Sequence, residues 1–252
     1  MKCALITGAS RGIGRAAALR LAESGRFPML CLTAHKEKEK LYRLAEEIRS
    51  LSPRQTVLCF LGDIGEQDTV ERLVKEIHAA GGRVSLLINN AAISLPGMLM
   101  DLSFEDWNRL ISTNLSSVYL TCRAFQHDLL QAASDPAGDA GRIINLSSVW
   151  GAVGASCEVA YSASKGGVTA FTKALAKELS PSHVAVNCLE LGAVDTEMNG
   201  NLSEEEKKGL SEEIPYGRFA TPEEVAEAIE LLSLMPSYVT GAVLRMDGGW
   251  IG

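Results

Sequence analysis

Three side chains in the middle of this chain have the types and spacing for proton chemistry. Ser148 carries a hydroxyl, Tyr161 a phenol and Lys165 an ammonium, and the last two stand four residues apart. Tyr161 to Lys165 reads as the start of a helix, where that spacing is about one turn and puts both groups on one face. A cation held beside a phenol favours its ionised form. Moving a tyrosine from about 10 to about 7 takes roughly 4 kcal/mol, which an ammonium supplies only in a partly dry site. The expectation is therefore a buried Tyr161 whose acidity Lys165 sets. Tyr-x3-Lys alone fits two surface residues on a helix equally well, so the surrounding elements must carry the argument.

The first of these elements lies at the N-terminus. The apolar run Cys3 to Thr7 reads as a strand, Arg15 to Ser24 as an amphipathic helix, and between them stands Gly8-Ala9-Ser10-Arg11-Gly12-Ile13-Gly14. Strand, glycine turn and helix is the setting in which a backbone approaches a pyrophosphate and unpaired helix N–H groups meet it. The spacing is Gly-x3-Gly-x-Gly, not the commoner Gly-x-Gly-x-x-Gly. A second strand, Phe27 to Thr33, ends without the acid that receives an adenosine ribose in NAD-preferring sites. Arg11, His35, Lys36 and Lys38 stand there instead, and cations suit a 2′-phosphate, so NADP(H) is preferred over NAD(H). The plainer reading is that Lys36 to Lys40 are the solvated start of a helix.

Further along, Leu41 to Leu51 and Glu66 to Ala79 read as helices, and Thr56 to Leu61 and Val84 to Ile88 as strands. Asp63-Ile64 follows the third strand; Asp63 either meets an adenine or caps the next helix. Phe104 to Leu130 reads as one long helix with Asn114 inside it, a polar residue that needs partners if buried. Asp135 to Gly141 is a loop, Arg142 to Ser147 a fifth strand delivering Ser148, Val168 to Leu179 the rest of the Tyr161 helix, and Val184 to Leu189 a sixth strand. Glu190 to Gly217 has little apolar periodicity and reads as a binding lid. Thr221-Pro222 opens a helix, and Ala242 to Met246 is a last strand. Strands alternating with helices predict an α/β chain: a doubly wound parallel sheet of Rossmann type with helices on both faces and its site at the strands' C-terminal ends. Gly8, Asn90, Ser148 and Gly192 all follow such strands. No linker or repeat divides residues 1–252, so one domain is expected.

Composition narrows the class. A formal charge of -7 speaks against a nucleic-acid or anionic-membrane surface. No apolar run reaches the length of a membrane span, and no targeting segment precedes the first strand, so the expected location is cytoplasmic. The six cysteines are scattered without C-x-x-C, and the four histidines show no paired spacing. Reduced thiols and no metal site are expected.

With these residues together, the chain resembles the short-chain dehydrogenase/reductase family over nearly its whole length. The matching pieces are Thr7 to Gly14, Asp63, Asn89-Asn90-Ala91, Asn114, Ser148, Tyr161-x3-Lys165, Thr196, Tyr238-x-Thr240-Gly241 and Asp247-Gly248-Gly249. The resemblance implies a Rossmann sheet of about seven strands and NAD(P)-dependent hydride transfer between a carbonyl and an alcohol. It assigns Tyr161 as proton donor to the carbonyl oxygen, Ser148 as its hydrogen-bonding partner, Lys165 as holder of the nicotinamide ribose and Asn114 as the anchor of a water in the proton relay. Ala91, Val194 and Thr196 would line the cofactor.

Within the family, Met98-Leu99-Met100, Glu105-Asp106-Trp107, Thr113-Asn114-Leu115 and Ile214-Pro215-x-Gly217-Arg218 look most like the 3-oxoacyl-acyl-carrier-protein reductases. Three features depart from that pattern. Ala92 replaces a glycine; Leu191-Gly192 replaces Pro-Gly and is expected to loosen a turn beside the nicotinamide; and Asp135 to Ala140 and Ser180 to His183 lack the basic residues that dock a carrier. An acidic acyl carrier protein matches that surface poorly. The expected reaction is reduction of a 3-oxoacyl thioester or small ketone, with the carrier left open, and alcohol or polyol oxidation is the alternative direction. A non-catalytic dinucleotide-binding module is the other class, against which the full Ser, Tyr, Lys and Asn set speaks. Apolar helices at Phe104 to Leu130 and Tyr161 to Leu179, with the family's habit of assembling through them, point to a homotetramer or homodimer.

Overall fold

The computed structural model describes residues 1–134, 141–200 and 202–251. Its seven strands are β1 (Lys2–Ile6), β2 (Met29–Ala34), β3 (Thr56–Leu61), β4 (Arg83–Asn89), β5 (Arg142–Ser148), β6 (Ala185–Leu191) and β7 (Val243–Met246). They form one sheet in the order β3-β2-β1-β4-β5-β6-β7, every neighbouring pair parallel. From β1 the chain steps outward to β2 and β3, then returns to β4 on β1's other side. That reversal opens a crevice at the C-terminal ends of β1 and β4, the place where open α/β sheets bind ligands.

Apolar side chains on both faces explain why the central strands read as continuous hydrophobic runs. Along β1 the faces alternate. Ala4 and Ile6 join a core with Leu21, Leu44 and Ile229 from α1 (Gly12–Ser24), α2 (Lys38–Leu51) and α9 (Pro222–Leu234). Cys3 and Leu5 join the opposite core with Leu73, Phe125 and Val168 from α3 (Gln67–Ala79), α5 (Ser117–Ala133) and α7 (Val159–Leu179). Between β4 and β5 a buried polar chain replaces apolar packing. Thr121 Oγ1 donates to Asn89 Oδ1 at 2.8 Å, Asn89 Nδ2 to Asn145 Oδ1 at 2.8 Å, and Asn145 Nδ2 to Thr172 Oγ1 at 2.9 Å.

The structure corrects four sequence expectations. The long Phe104 to Leu130 helix is two helices, α4 (Phe104–Ile111) and α5, joined by a π-helical turn at Ser112–Ser116. Glu190 and Leu191 belong to β6 and not to a lid. Leu191 pairs with Met246, so the leucine in place of proline lengthens the strand instead of loosening a turn. A short helix, α6 (Val149–Val153), follows Ser148, and α8 (Glu204–Glu213) crosses the stretch that showed no periodicity. α8 buries no residue; a capping box between Ser203 and Glu206 starts it. Asp135 to Ala140 of the expected loop lie outside the described residues. Among the described residues no helix is long and apolar enough to cross a membrane.

Candidate active site

The glycine turn follows β1 and leads into α1. Gly8 has φ +66°, and a Cβ there would lie 2.9 Å from Ala91 Cα, so this turn demands glycine. Asn90 fastens it to the end of β4: Asn90 Nδ2 donates to Thr7 O at 2.8 Å and Gly8 O at 3.0 Å. Thr7 Oγ1 in return accepts the N–H groups of Asn90 and Ala91 at 3.0 and 3.1 Å. Ser10 is buried, Ile13 packs against the core, and Gly12 lies against Thr196, whose Cγ2 is 3.3 Å from a Cβ placed at Gly12. α1 begins at Gly12 with no side-chain cap and no acid in its first turn. A 13-residue helix whose N–H groups open onto a glycine turn fits an anionic diphosphate. These residues fit a dinucleotide.

Around that mouth, Arg11 Nη1 donates to Glu197 Oε2 at 2.9 Å, and Lys40 Nζ reaches the same carboxylate at 3.0 Å. His35 Nδ1 lies 4.0 Å from Asp63 Oδ2. Asp63 does not cap α3; its Oδ1 accepts the Gly65 N–H at 2.9 Å, and Glu66 takes the N-cap position. Ile64 beside it is buried. Gly192 packs on Asp247, Val194 bridges to Ala220, and Asn199 ties back to Val194 and Thr196.

The proton-bearing groups gather at the end of β5 and the first turns of α7. Ser148 is buried at the strand's C-terminus, and its Oγ accepts the Trp150 N–H at 3.2 Å, starting α6. Two contacts hold strand to helix: Ser147 Oγ donates to Lys165 O at 2.8 Å, and Thr169 Oγ1 to Ser147 Oγ at 3.0 Å. Lys165 is buried, with Nζ donating to Leu146 O at 2.9 Å and lying 5.6 Å from the centre of the Tyr161 ring. Asn114, buried in the π turn, exchanges hydrogen bonds with the Ile93 backbone at 2.8 Å and donates to Ser164 Oγ at 3.2 Å. Ser164 Oγ in turn donates to Tyr161 O at 2.7 Å. The π turn widens the helix at the one position where a buried amide must reach another element.

Electrostatics here differ from the sequence expectation. Burial pushes the Tyr161 phenol up to about 12; the Glu158 carboxylate adds to this, and hydrogen bonding with Ser148 opposes it. Burial lowers Lys165 to about 8. In the free protein desolvation, and not the neighbouring cation, sets the phenol, which holds its proton at neutral pH.

Ser148, Tyr161, Lys165 and Asn114 thus form one cluster, and the glycine turn, Asn90, Ala91 and Thr196 another, both on the C-terminal edge of the sheet. Ser164, Thr7, Glu197 and the pair Ser94 and Glu158 belong to the same surroundings; the sequence reading placed Thr7 in the glycine motif, Glu197 in the lid, and Ser94 and Glu158 in segments that define the substrate, but gave none of them a role of its own. Thr7 and Ser164 stand beside recognised motif residues, a signal that could have found them. Glu197 and Ser94 meet their partners only through folding, across 186 and 64 positions.

A model described as short chain dehydrogenase matches residues 2–207. A 3-oxoacyl-[acyl-carrier-protein] reductase FabG of Chlamydia muridarum is 36% identical over 250 residues, covering 98% of this chain and 96% of its own. The protein of the same name from Aquifex aeolicus is 35% identical over 249 residues, covering 98% and 96%. An uncharacterized oxidoreductase YmfI of Bacillus subtilis is 35% identical over 250 residues, covering 99% and 98%.

Proposed function

This chain belongs to the short-chain dehydrogenase family, and from that premise we propose that it reduces a 3-oxoacyl thioester, or a small ketone of similar shape, to the alcohol with NADPH. The observation that carries this reading is the meeting of Ser148, Tyr161 and Lys165 at the same sheet edge as the uncapped start of α1. The thioester comes from the names of the relatives. The carrier is open, since a short thioester presents the same carbonyl.

Gly8, Ser10, Arg11, Gly12, Ile13 and Gly14 would hold the diphosphate. Asn90, Ala91, Gly192, Val194 and Thr196 would line the nicotinamide half, and Asp63 with Ile64 the adenine. Arg11 and His35 favour a 2′-phosphate over a bare ribose. Arg11 and Lys40 are already gathered on the anionic Glu197, and these two cations would hold such a phosphate. When bound, the reduced nicotinamide supplies the hydride that the carbonyl carbon accepts.

The chain's own part is the proton. Tyr161 gives its phenolic hydrogen to the carbonyl oxygen as that oxygen gains charge, and Ser148 donates a hydrogen bond to the same atom. Lys165, mostly protonated at pH 7, then stabilises the tyrosinate left behind. Asn114 and Ser164 fix the helix turn that carries Tyr161, and Asn114 would hold the water of the proton relay. At neutral pH a phenol raised to about 12 holds the proton that carbonyl reduction takes from it. The test is an activity panel on the purified chain: short 3-oxoacyl thioesters, free ketones and alcohols, each with NADP(H) and NAD(H). Thioester reduction with NADPH is expected to give the highest kcat/KM; alcohol oxidation with NAD as the fastest reaction would overturn the reading.

A further inference from the structure

Two substrate-side loops meet beside Tyr161 through side chains to which the proton chemistry above gives no part. Ser94, in the segment after β4, donates its hydroxyl to Glu158 at 2.8 Å from Oε1 and 3.1 Å from Oε2. Glu158 is the N-cap residue of α7, three positions before Tyr161, yet its carboxylate caps no helix N–H and turns to Ser94 instead. Among the described residues it has no Lys, Arg or His within ion-pair distance, and it is half-buried. A second contact fixes the same two loops, Gly97 N–H donating to Cys157 O at 2.8 Å. The result is a held carboxylate without a counter-cation at the approach to the phenol.

We propose that the Ser94–Glu158 pair is a charge filter for the substrate: its carboxylate accepts hydrogen bonds from uncharged 3-oxo compounds with N–H or O–H groups and repels 3-oxo carboxylates. The proposal rests on the reductase reading above and narrows its substrate class. An ionised carboxylate offers about four lone-pair directions, and one hydroxyl cannot fill them. The amide N–H groups of a thioester arm suit the remainder. A substrate carboxylate brought next to it meets like charge in a partly desolvated place, where repulsion is stronger than in water. Glu158 lies close enough to the Tyr161 phenol to raise it further.

The test compares kcat/KM for 3-oxobutanoate and for its methyl ester, with NADPH, in the wild type, Glu158→Gln and Ser94→Ala. Glutamine keeps the hydrogen bond to Ser94 and deletes the charge; alanine keeps the charge and deletes the bond. The ester-to-acid ratio is internal to each variant, so a general loss of activity does not move it. The ratio is expected to fall about tenfold or more in Glu158→Gln, through the KM of the acid, and to hold within about twofold in Ser94→Ala. If the wild type reduces both compounds and Glu158→Gln leaves the ratio unchanged, the filter is wrong and the reductase reading survives. If the wild type reduces neither these compounds nor any thioester, both fall.

Discussion

At the scale of single residues, Lys165 shows what the site costs the fold. Its ammonium titrates near 8 in the folded chain against an ordinary 10.5. Below pH 8 both states bind the proton, and the folded state bears the whole cost of burying it, roughly 3 kcal/mol. Between about pH 8 and 10.5 the unfolded chain binds more protons than the folded one, so this contribution to stability rises with pH; above 10.5 the cost is gone. Lys165→Met removes the buried charge but also the hydrogen bond to Leu146 O, a loss of about 1–2 kcal/mol. Chemical denaturation should therefore find the variant more stable than the wild type by roughly 1–2 kcal/mol at pH 7 and less stable by a similar amount at pH 10.5. A constant difference across that range would mean that Lys165 is not desolvated as described. A group kept at such a cost is best explained by chemistry.

At the scale of elements, what matters is how β5 and α7 are locked together, since Ser148 rides on one and Tyr161 on the other. Asn145 spans them, accepting from Asn89 and donating to Thr172 with no exposure to solvent. Asn145→Ala should cost about 1–3 kcal/mol, because it leaves Asn89 Nδ2 with Cys122 Sγ and Thr172 Oγ1 with Val168 O, each one hydrogen bond short in the interior. Urea unfolding measures this directly, and a cost under about 0.5 kcal/mol would show that the polar chain does not hold the strands. These elements were legible in the sequence, because apolar runs such as Cys3 to Thr7 alternate with 3.6-residue patterns such as Gln67–Ala79. The π turn at Ser112–Ser116 was not, since its residues have the same composition in an ordinary helix. α8 was missed for want of an apolar face, although Ser203-x-x-Glu206 is a readable start signal. The extension of β6 through Leu191 depends on pairing with Met246, a partner that periodicity cannot supply.

At the scale of the molecule, a chain of net charge -7 holds two cations, Arg11 and Lys40, together beside the glycine turn. An acidic body with a basic opening directs an anionic cofactor to one place. The fold makes this possible by bringing segments near residues 8–14, 90, 114, 148–165 and 196 to a single edge of the sheet. The motif residues were legible there, since their spacing survives in one dimension. The clasp of Glu197 on Arg11 and Lys40, and the seat of Glu158 on Ser94, come only from how loops close. Everything proposed turns on the Tyr161 phenol giving its proton where the nicotinamide delivers its hydride. The most direct measurement is turnover of a 3-oxobutanoyl thioester by Tyr161→Phe alongside its affinity for NADPH. The account predicts turnover lowered by about 10²–10⁴-fold with affinity changed by less than about threefold. A variant that turns over at near the wild-type rate would contradict it.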